Sequence, residues 1–191
     1  MNLTFDEATH TYRLDGTVLP SVTTILKAEG FVDTSRYTEY GRDRGTKVHR
    51  AIHLYDDGEL DEDSLDPALR PYLEGWIRFK QESGFEVIES EGRHASEAYQ
   101  FAGTLDKLGT WKPNTPVIID IKTGKVESWV GLQLAGYHIL VDDKSHYKRF
   151  ALHLREDGSY RLHEFKERSD RAVFLAALLT HQWKVKEGGK Q

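Results

Sequence analysis

Asp120 and Lys122, in the middle of the chain, are of types that catalyse reactions at phosphate esters. They follow the apolar, β-branched run at residues 117–119, which is typical of a buried strand. Side chains on a strand alternate between its two faces, so Asp120 and Lys122 point the same way. A carboxylate and an ammonium on one face of a core strand need a partner or a ligand, because burying unpaired charges costs free energy.

A second carboxylate, Asp106, lies near the end of another predicted strand, at residues 99–109. If the two strands pair as a hairpin, Asp106 and Asp120 converge on one hard cation, and Mg²⁺ or Mn²⁺ suits such oxygen ligands. That ion would hold a scissile phosphate, while Lys122 orients or deprotonates a water or stabilises the developing charge. The structural alternative is a simple Asp120–Lys122 salt bridge, since Asp-x-Lys is a common tripeptide.

Gln133 and Tyr137 follow this motif at i, i+4 spacing in a predicted helix. The two side chains therefore share one face of that helix. By itself the pair indicates only a helix packed on a sheet. Because the pair directly follows Asp-x-Lys, it is more informative about function than it would be by itself.

These segments together resemble the PD-(D/E)xK nuclease superfamily, in its RecB-like exonuclease branch. The matching segments are Gly45-Thr46-Lys47-Val48-His49, Gly103-Thr104-Leu105-Asp106, Asp120-Ile121-Lys122-Thr123-Gly124 and Gln133-x-x-x-Tyr137. Residues 20–26 are also similar to a segment of phage-encoded members and of the mitochondrial genome maintenance exonuclease. Each motif is short, but five occur in the family's order between about Leu19 and Tyr137. Leu105 stands where the signature has proline, a departure that is common in this branch.

The resemblance implies a restriction-endonuclease-like α/β core, in which α-helices flank a mixed central β-sheet. We expect a small N-terminal β-hairpin beside it, at residues 1–19. The resemblance implies that His49, Asp106 and Asp120 bind one or two Mg²⁺ or Mn²⁺ ions, helped by the Ile121 carbonyl. Lys122 would position or activate water.

The resemblance also implies a further acidic ligand upstream of Asp106. Glu91 matches its position best, and Glu89 and Glu97 are competitors. We expect Phe85, Val87, Glu89 and Glu91 to share one face of a strand, from their alternation. From the family motif, Gln133 and Tyr137 would support the site or contact DNA.

The length and composition indicate one globular domain over residues 1–191, with the catalytic core at 85–140. The chain is 38% apolar and 11% aromatic, as in folded proteins. It has no apolar run long enough to cross a membrane and no signal-peptide pattern at its start. Cysteine is absent, which fits the cytoplasm (the host's, if the protein is phage-encoded) and excludes a cysteine-ligated iron–sulfur cluster.

The charge is unevenly distributed along the chain. A net charge of −5 gives no overall support for nucleic-acid binding, but residues 36–50 carry a local basic surplus. Its cations are candidates for contacts with a DNA backbone, or else form an ordinary solvated helix face. The candidates are Arg42, Arg44, Lys47 and Arg50. Residues 56–66 are strongly acidic and predict a solvated loop.

The remaining pattern predicts alternating strands and helices. Predicted strands cover residues 3–5, 11–14, 85–91, 99–109, 117–122, 147–154 and 160–165, and predicted helices cover 21–28, 36–55, 66–83, the segment with Gln133, and the segment after Ser169. Trp76 and Phe79 are expected in the core. His53, one turn after His49, is expected to be structural.

The sequence therefore predicts a hydrolase: an Mg²⁺- or Mn²⁺-dependent DNA exonuclease. From the resemblance, its substrate would be single-stranded DNA or DNA ends in phage or host recombination and repair, with a recombination or single-strand-binding protein as partner and no membrane. A structure-selective endonuclease and a non-catalytic nucleic-acid-binding module are the alternatives. A third is an inhibitor that uses residues 56–66 as a DNA mimic.

Overall fold

The computed structural model describes residues 2–33, 35, 37–111 and 115–188. Strands and helices alternate through these ranges, with a short 3₁₀ turn at Glu62–Ser64. In chain order they are β1 (Leu3–Asp6), β2 (Thr11–Leu14), β3 (Thr17–Leu19), α1 (Val22–Ala28), α2 (Glu39–Asp56), α3 (Arg70–Ser83), β4 (Phe85–Ser96), β5 (Phe101–Trp111), β6 (Thr115–Lys122), α4 (Val130–Asp142), β7 (Lys148–Leu154), β8 (Tyr160–Glu164) and α5 (Ser169–Gly188). Each helix in these ranges is too short or too polar to cross a lipid bilayer.

The larger sheet is mixed, with the strand order β4-β5-β6-β7-β8. Strands β6 and β7 are parallel, and the other neighbours are antiparallel. Helix α4 makes the crossover between the two parallel strands, as such a connection requires. One face of the sheet packs on α1, α4 and α5, and the other packs on α2 and α3. The predicted α/β class, a mixed sheet flanked by helices, is confirmed.

The central strand β6 follows the predicted alternation. Val117, Ile119 and Ile121 are buried in the core beside α2 and α3. Ile118 lies in the core on the opposite face. Asp120 and Lys122 therefore project toward the α4 side, as period two requires.

The N-terminal element has three strands instead of two. The Asp15–Gly16 turn joins β2 to the short strand β3, while residues 7–10 join β1 to β2. Sequence reasoning missed β3 because it is only three residues long and carries too little periodicity. The Tyr12 hydroxyl, 2.6 Å from the Thr104 hydroxyl, ties this small sheet to β5.

Two helices begin later than predicted. Helix α2 begins at Glu39, after Thr38, whose hydroxyl accepts a hydrogen bond from Gly41 N and so satisfies a free N–H of the first turn. The predicted start, Arg36, lies outside the described residues. Helix α3 begins at Arg70 instead of residue 66, with proline in its first turn, where a missing N–H costs nothing.

The prediction of a solvated loop at residues 56–66 is wrong at its first residue. Asp56 ends α2, and its side chain is 3% exposed. Its Oδ2 accepts a hydrogen bond from Lys107 Nζ at 2.6 Å. Its Oδ1 accepts hydrogen bonds from Lys80 Nζ at 2.7 Å and from Trp76 Nε1 at 3.0 Å. A run of acidic residues cannot reveal such partners, because they come from other elements.

We expect Asp56 to make the protein sensitive to acid. Burial alone would raise the pKa of Asp56, but Lys107, Lys80 and Trp76 hold it below its ordinary value of 3.8. The unfolded chain therefore binds this proton more tightly than the folded protein does. The resulting stabilisation is complete well above pH 4 and is lost as the pH falls through 3.8 toward the folded pKa.

Thermal unfolding of Asp56→Asn, followed by circular dichroism at several pH values, checks this expectation. The variant should be less stable by about 3–5 kcal/mol at pH 7, since Lys107 keeps its charge without its carboxylate partner. Its melting temperature should then fall less steeply toward about pH 3 than that of the wild type. Asp63→Asn, at the exposed 3₁₀ turn, is the control. Parallel pH profiles for wild type and Asp56→Asn would contradict the assignment.

Candidate active site

The candidate site forms where β5 and β6 stop pairing. Their paired residues run from Trp111–Thr115 to Lys107–Ile119. One residue further on, Asp106 Oδ2 accepts a hydrogen bond from Ile121 N at 2.6 Å, so a carboxylate replaces the backbone partner. Asp106 and Asp120 are only 8% and 2% exposed. The predicted hairpin thus brings both carboxylates to one buried location.

A cluster of metal-binding atom types lies beside this point. Ligand atoms of His49, Glu91 and Asp106 all lie within 4.8 Å of one another. His49 Nδ1 is 3.4 Å from Asp106 Oδ1 and 3.6 Å from Glu91 Oε1. Ligands about 2.1 Å from a Mg²⁺ ion are about 3 Å apart in neighbouring octahedral positions. The spacing and the nitrogen–carboxylate donor set therefore fit a divalent cation such as Mg²⁺ or Mn²⁺.

A hydrogen bond from the far side of the ring orients His49. Its Nε2 lies 3.0 Å from the Ile121 carbonyl oxygen. With Nε2–H donating, Nδ1 faces the carboxylates, which is how proteins commonly orient a metal-binding histidine. The Ile121 carbonyl thus already has a hydrogen-bond partner, and its predicted role as a metal ligand stays a prediction.

The charges in this cluster compensate one another. Burial alone would lower the pKa of His49, but Asp106 and Glu91 raise it to about 10. Burial alone would raise the pKa of Asp106, but His49, Lys122 and the Ile121 N–H hold it below its usual range. The protonated imidazole balances negative charge, and a bound cation would replace that proton.

Asp120 and Lys122 form a close ion pair, with Asp120 Oδ2 2.6 Å from Lys122 Nζ. Burial raises the pKa of Asp120 to about 6, although Lys122 acts in the opposite direction. No well-aligned hydrogen bond within the described ranges reaches this buried oxygen. The salt bridge of the structural alternative is present, yet the Asp120 carboxylate remains under-coordinated beside the His49 cluster, where a cation would satisfy it.

Gln133 and Tyr137 extend this ion pair into α4. Lys122 Nζ donates a hydrogen bond to Gln133 Oε1 at 3.2 Å. Gln133 Nε2 donates in turn to the Tyr137 hydroxyl at 3.1 Å. Burial, together with the charge of Asp120, raises the pKa of Tyr137, which keeps the hydroxyl neutral. Both side chains are buried, so the geometry favours support of Lys122 over contact with DNA.

The predicted alternation of β4 is wrong. A bulge between Val87 and Glu89 shifts its register against β5, and one inserted residue reverses the faces that follow. Ser90, and not Glu89, consequently faces Lys107 and the α2–α3 side. Glu91 lies in register opposite Asp106, between the paired residues on either side.

The three acidic candidates upstream of Asp106 have separate surroundings. Glu91 belongs to the cluster with His49 and Asp106. The Glu89 carboxylate instead lies 2.8 Å from His94 Nε2, and Glu97 lies beyond the end of β4. The geometry therefore favours Glu91 as the further ligand.

The four predicted DNA-binding cations have different roles in the structure. Arg44 donates a hydrogen bond to the Thr123 carbonyl at 3.1 Å and packs on Tyr72, so it also fastens α2 to the end of β6. Lys47 pairs with Asp43 at 2.7 Å, on an exposed surface. Arg42 and Arg50 line two different cavities beside His49.

These two cavities lie on either side of the site. One, of about 440 Å³, is lined by cations and aromatic rings, among them Arg42, Lys125, Tyr37 and Trp129. The other, of about 650 Å³, is lined by residues that include Arg50, Arg93, Phe5 and Glu91. His49 and Gly45 line both. Sequence reasoning missed Lys125 and Trp129, although they follow the Asp120–Gly124 motif, and it missed Arg93 on the bulged strand.

No family model matches this chain, and no curated protein matches it. A solved structure of a candidate exonuclease from Eubacterium rectale superposes with a TM-score of 0.54 at 14% identity, covering 91% of this chain and 76% of that one. The two proteins share a fold, the restriction-endonuclease-like α/β core.

An alkaline exonuclease from Laribacter hongkongensis, LHK-Exo, gives a TM-score of 0.40 at 14% identity, covering 89% of this chain and 92% of that one. Its complex with dAMP gives 0.41 at 16% identity, covering 91% and 95%. Similarity at that level is too low to support an argument about this chain.

We expect Mn²⁺ binding to depend on His49 more than on His53. His49→Ala removes the nitrogen of the cluster and should weaken Mn²⁺ binding at least about tenfold. His53→Ala removes a side chain that contacts Ser90 and not the carboxylates of Glu91 or Asp106, so its effect should be smaller. Isothermal titration of both variants with Mn²⁺, after circular dichroism has shown that they fold, measures the difference. Equal losses would contradict the assignment of His49.

Proposed function

We propose that this protein is a Mg²⁺- or Mn²⁺-dependent deoxyribonuclease of the PD-(D/E)xK type that acts as an exonuclease. The observation that carries the proposal is one location, around the buried Asp106 and Asp120, that combines the partly exposed His49 and Glu91 with the Asp120–Lys122 pair. A purely structural salt bridge would not need the additional histidine and carboxylates, and the burial of Asp106 costs free energy.

In this proposal His49, Glu91, Asp106 and Asp120 hold the cation. When bound, it would supply Lewis acidity to a phosphoryl oxygen and lower the pKa of a water. The four side chains would hold the ion from four elements, α2, β4, β5 and β6. Their convergence explains why three acidic groups, two of them buried, are kept together at one place.

The protonation state of Lys122 limits the roles that this side chain can have in the reaction. Burial alone would lower the pKa of Lys122, but Asp120 and Asp106 raise it above its ordinary value. The ammonium form is therefore dominant at neutral pH, and it can donate hydrogen bonds but cannot accept a proton. This favours charge stabilisation and positioning of water over general-base catalysis. Gln133 limits the movement of the ammonium through its amide oxygen.

The cavities support a single-stranded or end-containing DNA substrate. Arg42, Lys125 and Arg50 provide positive charge for a phosphate backbone on both sides of His49. Tyr37 and Trp129 provide aromatic faces on which unpaired bases can stack. The Eubacterium rectale protein that shares the fold is described as an exonuclease, which agrees with a substrate that has an end. Recombination or repair, with a recombination or single-strand-binding protein as partner, is part of the same proposal.

An endonuclease on the same fold is the second candidate. Both cavities open on His49 from different sides, so a strand without an end could pass through the site. A non-catalytic binding module is less well supported, because binding alone does not require the buried charges of Asp106, Asp120 and Lys122. A DNA-mimic role for residues 56–66 is weakened by the burial of Asp56.

Cleavage of end-labelled DNA tests the proposal. Linear and circular DNA, single- and double-stranded, are incubated with the protein and either Mn²⁺ or EDTA. Linear DNA should be degraded only with Mn²⁺, and the label position then gives the polarity. Lys122→Ala should slow cleavage by about a hundredfold or more, because it removes a charge-stabilising donor, yet it should retain DNA binding.

Lys148→Ala is the matched control, since this lysine is exposed at the start of β7, at the other end of the parallel strands. It should cleave at the wild-type rate. Nicking of circular DNA would establish the endonuclease instead. Retained binding without cleavage by the wild-type protein would support the binding module and refute the nuclease.

A further inference from the structure

The core contains a buried cation that the proposed reaction does not use. Lys107 is 1% exposed, and its Nζ lies 5.2 Å from the centre of the Trp76 ring. It donates hydrogen bonds to Asp56 Oδ2 at 2.6 Å and to Ser90 Oγ at 2.5 Å. Well-packed apolar residues stabilise a core as well as a buried ion pair does, or better. The stability of the fold alone therefore does not explain why the Lys107–Asp56 ion pair is buried in the core.

Ser90 connects this ion pair to two other elements. Ser90 and Lys107 are directly paired across β4 and β5. An ammonium can only donate, so Ser90 Oγ accepts from Lys107. The hydroxyl hydrogen is then free to bond His53 Nδ1, 2.9 Å away on α2. Ser90 is thus held from β5 and from α2 at the same time.

The residue after Ser90 is a candidate metal ligand in a strained conformation. Glu91 has a φ of 52°, a backbone conformation that is unfavourable for a residue other than glycine and persists only where the surroundings impose it. The bulge between Val87 and Glu89 has just shifted the register. The side chain of Ser90 therefore anchors β4 between the bulge and Glu91. On the other side of Glu91, Gly92 pairs with β5.

The Lys107–Ser90 hydrogen bond also lies beside Asp106, the second carboxylate of the cluster. Lys107 follows Asp106 in β5, as Ser90 precedes Glu91 in β4. Because these four residues are in register, the Lys107–Ser90 hydrogen bond lies next to the Asp106–Glu91 pair. A shift of β4 by one residue would turn Glu91 to the other face of the sheet.

We propose that Lys107 and Ser90 are positioning residues that hold Glu91 in its place in the cation site, with Asp56 fixing the lysine. This inference rests on the proposed function. Neither residue is one of the candidate ligands of the cation. Their effect reaches the site through the backbone of Glu91.

Titration of the metal-free protein with Mn²⁺ tests the proposal. Ser90→Ala keeps the Lys107–Asp56 pair but removes its connection to β4. It should weaken Mn²⁺ binding about tenfold, the lower end of the effect seen when an outer support of a metal ligand is lost. Lys80→Met is the control, because it perturbs the same buried network by removing an ammonium from Asp56 but leaves Ser90 and its bond to Lys107 in place. It should bind Mn²⁺ like the wild type.

A double-mutant cycle distinguishes the positioning of Glu91 from a general loss of fold stability. If Ser90 acts through Glu91, then Ser90→Ala should cause no further loss of Mn²⁺ affinity in a protein that already carries Glu91→Gln. Independent losses that add up would mean that Ser90 only stabilises the fold, and would overturn the inference. Circular dichroism confirms that each variant is folded at the titration temperature.

The outcomes distinguish the two proposals. A wild-type protein that neither binds Mn²⁺ nor cleaves DNA refutes the proposed function and this inference together. A wild-type protein that binds Mn²⁺ and cleaves, with unchanged Mn²⁺ affinity in Ser90→Ala, refutes only the inference.

Discussion

The crowding of negative charge at one buried point is the constraint on which the rest of this structure depends. Asp106 and Asp120 have lost almost all contact with water, and Glu91 lies beside them. Carboxylates in such surroundings need positive charge or hydrogen-bond donors. His49 and Lys122 supply the charge, and the surrounding helices and strands are placed so that both reach this point.

The topology explains how a helix comes to support the lysine. Parallel strands require a crossover, and here α4 supplies it between β6 and β7. The helix must pack on the face of the sheet toward which Lys122 points. Gln133 and Tyr137 are then in reach of the ammonium, so a connection that the fold needs anyway also orients a functional group.

The other side of the site depends on an irregularity. An unbroken β4 would have placed Glu91 on the same face as Val87, in the apolar core beside α2 and α3. The bulge turns it toward Asp106. Gly109 accommodates the close approach there, since a Cβ at this position would lie 2.2 Å from the Glu86 carbonyl oxygen. Packing and the candidate chemistry are therefore coupled at one point of the sheet.

The sequence by itself determined the relations that lie within one element: strand alternation sets Asp120 and Lys122 on one face, and helical spacing sets Gln133 over Tyr137. The alternation of strands and helices also followed from local patterns, and the α/β core followed from the family resemblance. The tertiary structure alone decided the bulge before Glu91, the third N-terminal strand and the burial of Asp56 against Lys107. The physical reason is that periodicity defines the direction of a side chain inside one strand or helix, whereas the bulge and the contacts between elements depend on packing between residues that are far apart in the sequence.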